Sequence, residues 1–363
     1  MSPSLEIQSL PPIADPVKAS RIIVNDFHTG IAERWDEFVL RQQSGTLFHL
    51  MAWKRVIERN FGFRSHYCYV ERNGVITAVV PLFFVTNWVV GDCLHSVPFG
   101  VYGGICAADQ DSSNALVSHL KQLALSMRVK HLDLHQQHGE VFPDFHPNSL
   151  YSTFTTTLSA DHEINLKKLP RDTRYMIRRA EKAGLRVQFG LDQLSVFYPL
   201  FCESMRRLGT PVFPRTHFAN LIQEFGSQVD LMMVYSGSQA VTGVLSFFFR
   251  DTIMPYYAGA GSAAGSLAAN NFMYWQLMKY AAEKGFRTFD FGRSKKNTGA
   301  YGFKSQWGMD IEQLNYQTFL VRRATVPNFS PANPKFAMAT RVWRRLPLEL
   351  TNRLGPHIVR WFP

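Results

Sequence analysis

The order of elements along this chain repeats, and that constrains the fold more than any single motif does. In the first half, helical patterns near Ile31–Arg41 and Met51–Asn60 precede two apolar runs around Asn73-Gly74, a helical stretch Ser112–Met127 and the strand "HLDLHQ". In the second half, helical patterns at Gln193–Leu208 and Thr216–Phe225 precede "LMMVYSGSQAVTGVLSFFF", then "TIMPYYAGA", a helix over Asn270–Glu283 and "FRTFDFG". Asn-Gly between apolar runs signals a hairpin, because both residues tolerate the positive φ that a tight primed turn requires. Set side by side, "VKHLDLHQ" and "FRTFDFGR" place Asp133 opposite Asp290. Each half reads helix, helix, β-hairpin, strand, helix, strand. Such a unit buries its apolar faces as a mostly antiparallel sheet flanked by helices, so the fold class is α+β (mixed α/β), present in two copies.

The expected boundaries are a loose Pro/Ser-rich leader at 1–19, a first domain over 20–150, a second over 151–325 and a basic tail at 326–363. Between the halves, "YSTFTTTL" alternates like a strand, and "NLKKLPRDTRYMIRRAEKAGL" is a basic helical segment closed by Gly184. A length of 363 residues accommodates two such domains, and 46% hydrophobic with 18% charged residues excludes a disordered chain. Thirty-nine Lys+Arg against 28 Asp+Glu give a formal charge of +11, which favours an anionic partner. Cys68, Cys93, Cys106 and Cys202 show neither CxxC nor zinc spacing, so buried free thiols are expected. With no signal-peptide pattern and no run of eighteen apolar residues, the expected location is cytoplasmic.

The densest chemistry lies in "FDFGRSKKNTGAYGFKSQWG", Phe289 to Gly308. Asp290 sits on an apolar strand, where a carboxylate is costly unless it is paired or used. It is a candidate for accepting a proton from an amine or for orienting that amine; pairing with Arg293 or capping a neighbouring loop is the alternative. Arg293, Lys295, Lys296 and Lys304 flank Gly299 and Gly302, a composition suited to a loop wrapped around phosphates, or else a solvated basic loop. Tyr301, Phe303 and Trp307 offer rings to stack on a base or sugar. Tyr256 and Tyr257 should alternate faces on their strand, one toward a cleft and one toward the core. Asn270 and Asn271 open a helix, as caps or as an anion site. Arg174, Arg178 and Lys182, four apart, give one basic helical face for a nucleotide- or lipid-linked phosphate, unless that face is simply solvated. His131, His135 and His138 do not converge at metal-ligand spacing, so no metal is expected. The tail interleaves Arg341, Arg344, Arg345, Arg353 and Arg360 with Trp343, Leu346, Leu350 and Trp361, which suits an amphipathic segment on an anionic membrane or a packed terminal helix.

The segments "LPRDTRYMIRRAEKAGL", "PVFPRTHF", "GVLSFFFRDTIMPYYAGA", "NNFMYWQLMKYAAEKG" and "FDFGRSKKNTGAYGFKSQWG" resemble the FemAB-like proteins associated with the PEP-CTERM/exosortase system of Gram-negative bacteria. The resemblance runs from about Val24 to Phe362. It implies tandem GNAT-like acyltransferase domains, N-acyl transfer to a cell-envelope or extracellular polysaccharide (or peptidoglycan-type) precursor, and an acyl-CoA or aminoacyl-tRNA donor, with tRNA and a nucleotide- or lipid-linked glycan precursor as candidate partners; a catalytically degenerate binding component of the exopolysaccharide machinery is the alternative. Two features depart from the wider family: no long helical arm of the kind seen in some Fem ligases is visible, and "GAGSAAGSLAANN" is not a clean acyl-CoA pyrophosphate signature. No Ser-His-Asp elbow motif is present either. Asp290, Tyr256 and Tyr257 are the catalytic candidates; Arg293, Lys295, Lys304, Tyr301, Trp307, Asn270, Arg174 and Arg178 are the substrate- or phosphate-binding ones.

Overall fold

The computed structural model describes residues 22–139, 141–327 and 334–363; the expected leader lies outside them. Its elements form three sheets. An eight-stranded sheet belongs to the second half and runs, in spatial order, Arg186–Phe189, Val229–Ser236, Gln239–Phe249, Thr252–Ala260, Thr288–Asp290, Tyr151–Thr157 and Ser294–Lys295, with Asp310–Gln313 also on Tyr151–Thr157. The first half makes a four-stranded sheet (Ile23–Asp26, Cys68–Arg72, Val75–Val80, Cys106–Ala107) and a six-stranded one (Arg64–Ser65, Phe83–Asn87, Gly91–His95, His131–Gln136, Asn315–Leu320, Phe145–Asn148).

The same unit underlies both halves. Thr288–Asp290 lies parallel to Thr252–Ala260 and antiparallel to Tyr151–Thr157, with Thr155 opposite Asp290. His131–Gln136 lies parallel to Gly91–His95 and antiparallel to Asn315–Leu320, with Thr318 opposite Asp133. Asp133 and Asp290 therefore occupy equivalent strands, as the repeat predicts. The first half has two sheets because Pro81 interrupts its long strand between Val75–Val80 and Phe83–Asn87, while the counterpart Gln239–Phe249 runs unbroken. Proline has no N–H to give to a ladder.

One flanking strand crosses between the halves. Tyr151–Thr157 opens the second half in sequence and completes that half's own sheet. Asn315–Leu320 ends the second half and lies between His131–Gln136 and Phe145–Asn148 in the first half's sheet. The largest core is also shared: Trp35, Phe48, Trp53 and Phe83 from one half pack with Phe197, Phe201, Phe218 and Phe247 from the other. Arg55 and Arg59 both pair with Glu224 across the seam, and Arg250 donates to the carbonyls of Val39 and Gln42.

Local signals placed most elements. Asn73 and Gly74 take φ of 52° and 79° in the turn joining Cys68–Arg72 to Val75–Val80. The helix Leu194–Leu208 stops at Gly209, whose left-handed φ of 77° a residue with a Cβ would adopt at a cost. That helix lies so close to Thr252–Ala260 that a Cβ at Gly259 would stand 2.5 Å from the Phe201 nitrogen and 2.7 Å from its Cα. Backbone atoms cannot swing aside, so Gly259→Ala should cost about 1–3 kcal/mol, read as a lowered midpoint in thermal or denaturant unfolding. An unchanged midpoint would mean that the helix–sheet contact is looser than this geometry.

Candidate active site

A cleft of about 1060 Å³ opens between the halves, over the face of the eight-stranded sheet. Its floor carries Phe247, Met254, Thr155, Thr288 and Asp290; its walls come from the first half, at Gln42–His49, Tyr102–Ile105 and His135–His138. Asp290 is the carboxylate that the strand end delivers to this cleft.

Asp290 is 4% exposed, and its protein contacts converge on one oxygen. The Gly292 N–H donates to Oδ1 at 2.7 Å, and the hydroxyls of Tyr102 and Thr153 each lie 3.2 Å from the same atom. Those hydroxyls also bond to each other, so one proton goes to the carboxylate and the other is shared between them. Among the described residues nothing bonds Oδ2, the oxygen left to the cleft, and Asp290 forms no ion pair with Arg293 or any other residue. Burial raises its pKa above the ordinary 3.8; the Gly292 N–H, the Tyr102 hydroxyl and the charge on Lys304 work against that rise by favouring the ionised form. A carboxylate held this way is fixed at one oxygen and available as a proton acceptor at the other.

Burial holds the neighbouring histidines in their neutral form. Burial pushes His49 down to about 4, and its ring bridges Gly104 O at 2.9 Å and the Thr46 backbone N–H at 3.2 Å. His135 lies flat on Tyr316, ring centroids 4.1 Å apart, and burial lowers its pKa well below the ordinary value. The counterpart carboxylate is closed off. Asp133 accepts from the Thr318 hydroxyl at 2.6 Å and pairs with His131 at 3.2 Å and His95 at 3.5 Å. Burial would raise its pKa, but the two histidines hold it well below the carboxylate range. The equivalent strand thus carries an open carboxylate in one half and a paired one in the other.

The structure distributes the sequence candidates differently. Lys304 is half-buried, and its ammonium donates to the carbonyls of Phe291, Gly292 and Arg293, at 2.5, 3.1 and 3.1 Å. It clamps the loop that supplies the Gly292 N–H to Asp290. Arg293 is half-buried between Tyr151 and Tyr316, 5.1 and 5.7 Å from their rings, and donates to the Tyr316 hydroxyl at 3.2 Å. Residues 299–305, expected as an open glycine loop, form the helix Gly299–Ser305, capped by the Thr298 hydroxyl. Trp307 is core, edge-on to Tyr274 and Phe291, and Tyr301 packs on Phe154, so neither ring is presented for stacking. Lys295 is half-buried on the short strand opposite Tyr151, while Lys296 is exposed.

Tyr256 and Tyr257 do not alternate faces. Leu245 faces Tyr257 and Ser246 faces Pro255, so Tyr256 is the extra residue of a β-bulge. Both rings turn into the shared core, 4.8 Å apart. Tyr256 donates to Phe99 O across the seam, and the Tyr257 hydroxyl bonds His217 Nε2 at 2.9 Å. Asn270 accepts from Thr242, and the Ala269–Glu283 helix has no side-chain cap. Arg174 donates to Lys167 O and Arg178 is exposed; neither lines the cleft. Tyr102 and Thr153 were not legible as site residues. The one signal was "FGVYGGIC", a glycine-rich break whose Gly104 approaches Gln136 too closely for a Cβ.

Among the described residues one group could hold a metal ion, Asp26, Cys68 and His119, in the first half and outside the cleft lining. Burial and Asp26 push the Cys68 thiol up to about 12, and its sulfur lies 3.7 Å from Asp26 Oδ1 and 3.5 Å from His66 O. His131, His135 and His138 form no such group.

Lys304→Met removes three donors and leaves three carbonyls at a half-buried site, which should cost about 1–3 kcal/mol. Burial lowers Lys304 to about 8 from 10.5, so between those values the unfolded chain holds a proton that the folded chain has released. Stability of the wild type relative to Lys304→Met should therefore rise as pH rises from about 8 to 10.5. A pH-independent difference in denaturant midpoints would contradict this placement.

Residues 167–305 match the family model of the acetyltransferase (GNAT) domain, so the chain carries an acyltransferase domain of GNAT type in its second half, the half of the open carboxylate. No curated protein matches the sequence. Among solved structures the fold is similar to FemX (TM-score 0.63, 16% identity, 82% of this chain and 98% of that one). It is also similar to L-PGS from Bacillus licheniformis (0.52, 12%, 86% and 97%) and to a tandem GNAT protein from the clavulanic acid biosynthesis pathway (0.51, 8%, 84% and 100%). These similarities show the tandem GNAT-like fold.

Proposed function

We propose that the protein transfers an acyl group to an amine held in the inter-half cleft, with Asp290 as proton acceptor. The observation that carries this reading is the open Oδ2 of a carboxylate anchored at Oδ1, at the strand end of the GNAT-type domain. The amine nitrogen attacks the donor carbonyl, an amide bond forms, the bond to the donor's thiol or ribose oxygen breaks, and Asp290 takes the ammonium proton. The Gly292 N–H, Tyr102 and Thr153 hold the carboxylate in place, and Lys304 holds the loop that provides that N–H.

The acceptor in this reading is an amino group of a cell-envelope or extracellular polysaccharide precursor, or a peptidoglycan-type one, linked to the PEP-CTERM/exosortase system with which the FemAB-like proteins that the segments resemble are associated. Supporting it, the cleft walls carry Gln42, Gln43, Gln136, Gln137 and Ser44, neutral hydrogen-bonding groups suited to sugar hydroxyls or peptide amides. The donor is acyl-CoA. Aminoacyl-tRNA is the second reading, favoured by the exposed cations Arg171, Arg178 and Lys182 on the Arg171–Lys182 helix. Mass spectrometry of ligands retained by the purified protein separates the two, since a CoA adduct supports the first and bound RNA the second. Deleting the gene and comparing acyl and amino-acid substituents of the exported polysaccharide tests the acceptor; unchanged substituents would remove the polysaccharide assignment.

A further inference from the structure

We infer that the C-terminal helices and the tip of the hairpin bearing Trp88 together form a surface that docks on an anionic lipid bilayer. The inference stands on this surface alone and does not depend on the reaction in the cleft.

The tail is anchored to the body on one side. Gly355 packs against Val212 so closely that a Cβ would stand 2.8 Å from its nitrogen, Thr351 and Val359 are buried, Arg344 donates to Leu208 O, and Arg360 donates to Phe61 O. The other side is apolar and exposed. On Pro334–Arg345, Met338 is 75% exposed and Val342, one turn on, is exposed as well. On Leu348–Ile358, Leu350 and Leu354 repeat that spacing. Between the strands Phe83–Asn87 and Gly91–His95, Trp88 stands 77% exposed.

Aromatic contacts connect these pieces. Trp88 meets Trp361 edge-on at 5.2 Å, and the adjacent Phe362 meets Phe336 at 5.7 Å, two residues before Met338. Residues 334–363 hold six Lys+Arg against the single carboxylate Glu349, and Arg341, Arg345 and Arg353 are exposed beside the aliphatic pairs. Exposed aliphatic and indole groups, with exposed arginines on the same helices as the aliphatic ones, fit the headgroup boundary of an anionic bilayer, where the rings and methyls enter the acyl region and the guanidiniums meet phosphates. Among the described residues no helix is long and apolar enough to cross a membrane, so the contact is peripheral.

Flotation of the full chain tests this, using phosphatidylglycerol/phosphatidylcholine vesicles against pure phosphatidylcholine. The wild type should float with the anionic vesicles, less so at high salt, and not with the neutral ones. Removing Arg341 and Arg345 together as alanines should weaken partition by roughly 25-fold, about fivefold for each cation at the surface. Met338→Ser should weaken it several-fold with an unchanged unfolding midpoint, because that side chain is exposed, and Trp88→Ser should weaken it several-fold with at most the small drop in midpoint that loss of its Trp361 contact brings. Binding that ignores lipid charge, a wild type that stays at the bottom of the gradient, or a Trp88-dependent dimer that forms without lipid each overturns the assignment.

Discussion

Asp290→Asn should lower turnover by roughly 10²–10⁴ while leaving substrate affinity and folding largely intact. The expected size follows from general base catalysis, in which a positioned acceptor removes the proton as the amide forms. Asparagine preserves the shape and can still accept from the Gly292 N–H through Oδ1, but the amide that replaces Oδ2 cannot take a proton. The stability sign separates catalysis from folding. Because burial raises the Asp290 pKa above 3.8, the folded state disfavours the ionised form; the stabilisation from this group is fully present below pH 3.8 and is lost as pH rises through the raised value. At neutral pH the variant should therefore melt no lower than the wild type. The pH profile gives an independent check. Activity of the wild type should fall as pH falls through the raised pKa, so the acid limb should lie above the ordinary aspartate value. A stable Asp290→Asn enzyme that transfers at the wild-type rate would remove the base assignment and leave the proton to substrate or solvent, with positioning as the main contribution.

What the sequence made legible is what depends on near neighbours. The strands His131–Gln136 and Thr252–Ala260 have the bounds that their apolar runs predict, and the Asn73-Gly74 turn needs only two residues. Asp290 stood out because a carboxylate on an apolar strand is conspicuous whatever surrounds it. The misplaced candidates are those whose environment is set by distant chain. Lys304 reads as a free cation, yet its partners are backbone carbonyls eleven to thirteen residues away, which leave no trace in residue identity. Trp307 in a glycine-rich basic stretch looks like a stacking platform until Tyr274 and Phe291 close over it. The bulge at Tyr256 depends on register against Leu245 and Ser246, and one extra residue reverses every face beyond it. Tyr102 reaches Asp290 across 188 residues of sequence, a pairing that no local periodicity encodes.

The donated strand Asn315–Leu320 is a second long-range feature, and it gives the largest effect on folding. Residues 1–150 produced alone should fail to fold, although the repeat makes them look like one complete unit. The missing strand Asn315–Leu320 is internal to their six-stranded sheet: it pairs along its whole length with His131–Gln136 on one side and holds Phe145–Asn148 on the other. Without it, His131–Gln136 becomes an open edge, Phe145–Asn148 loses its partner, and Trp35, Phe48 and Trp53 lose Phe218 and Phe247 from their shared core. The combined loss exceeds the roughly 5–15 kcal/mol that holds a domain folded. Residues 151–363 should fare no better, with Asn315–Leu320 unpaired and the second half's share of the core exposed. Co-production of the two fragments at sufficient concentration should restore both, because the ladders of Asn315–Leu320 and the shared core can form between separate chains once the entropy of association is met. Amide hydrogen exchange along His131–Gln136 reads the result directly, with no protection in the lone fragment and strong protection in the reassembled pair. Cooperative unfolding of residues 1–150 alone, with those amides protected, would show that the first half completes its sheet without the second and that the donated strand contributes little to it.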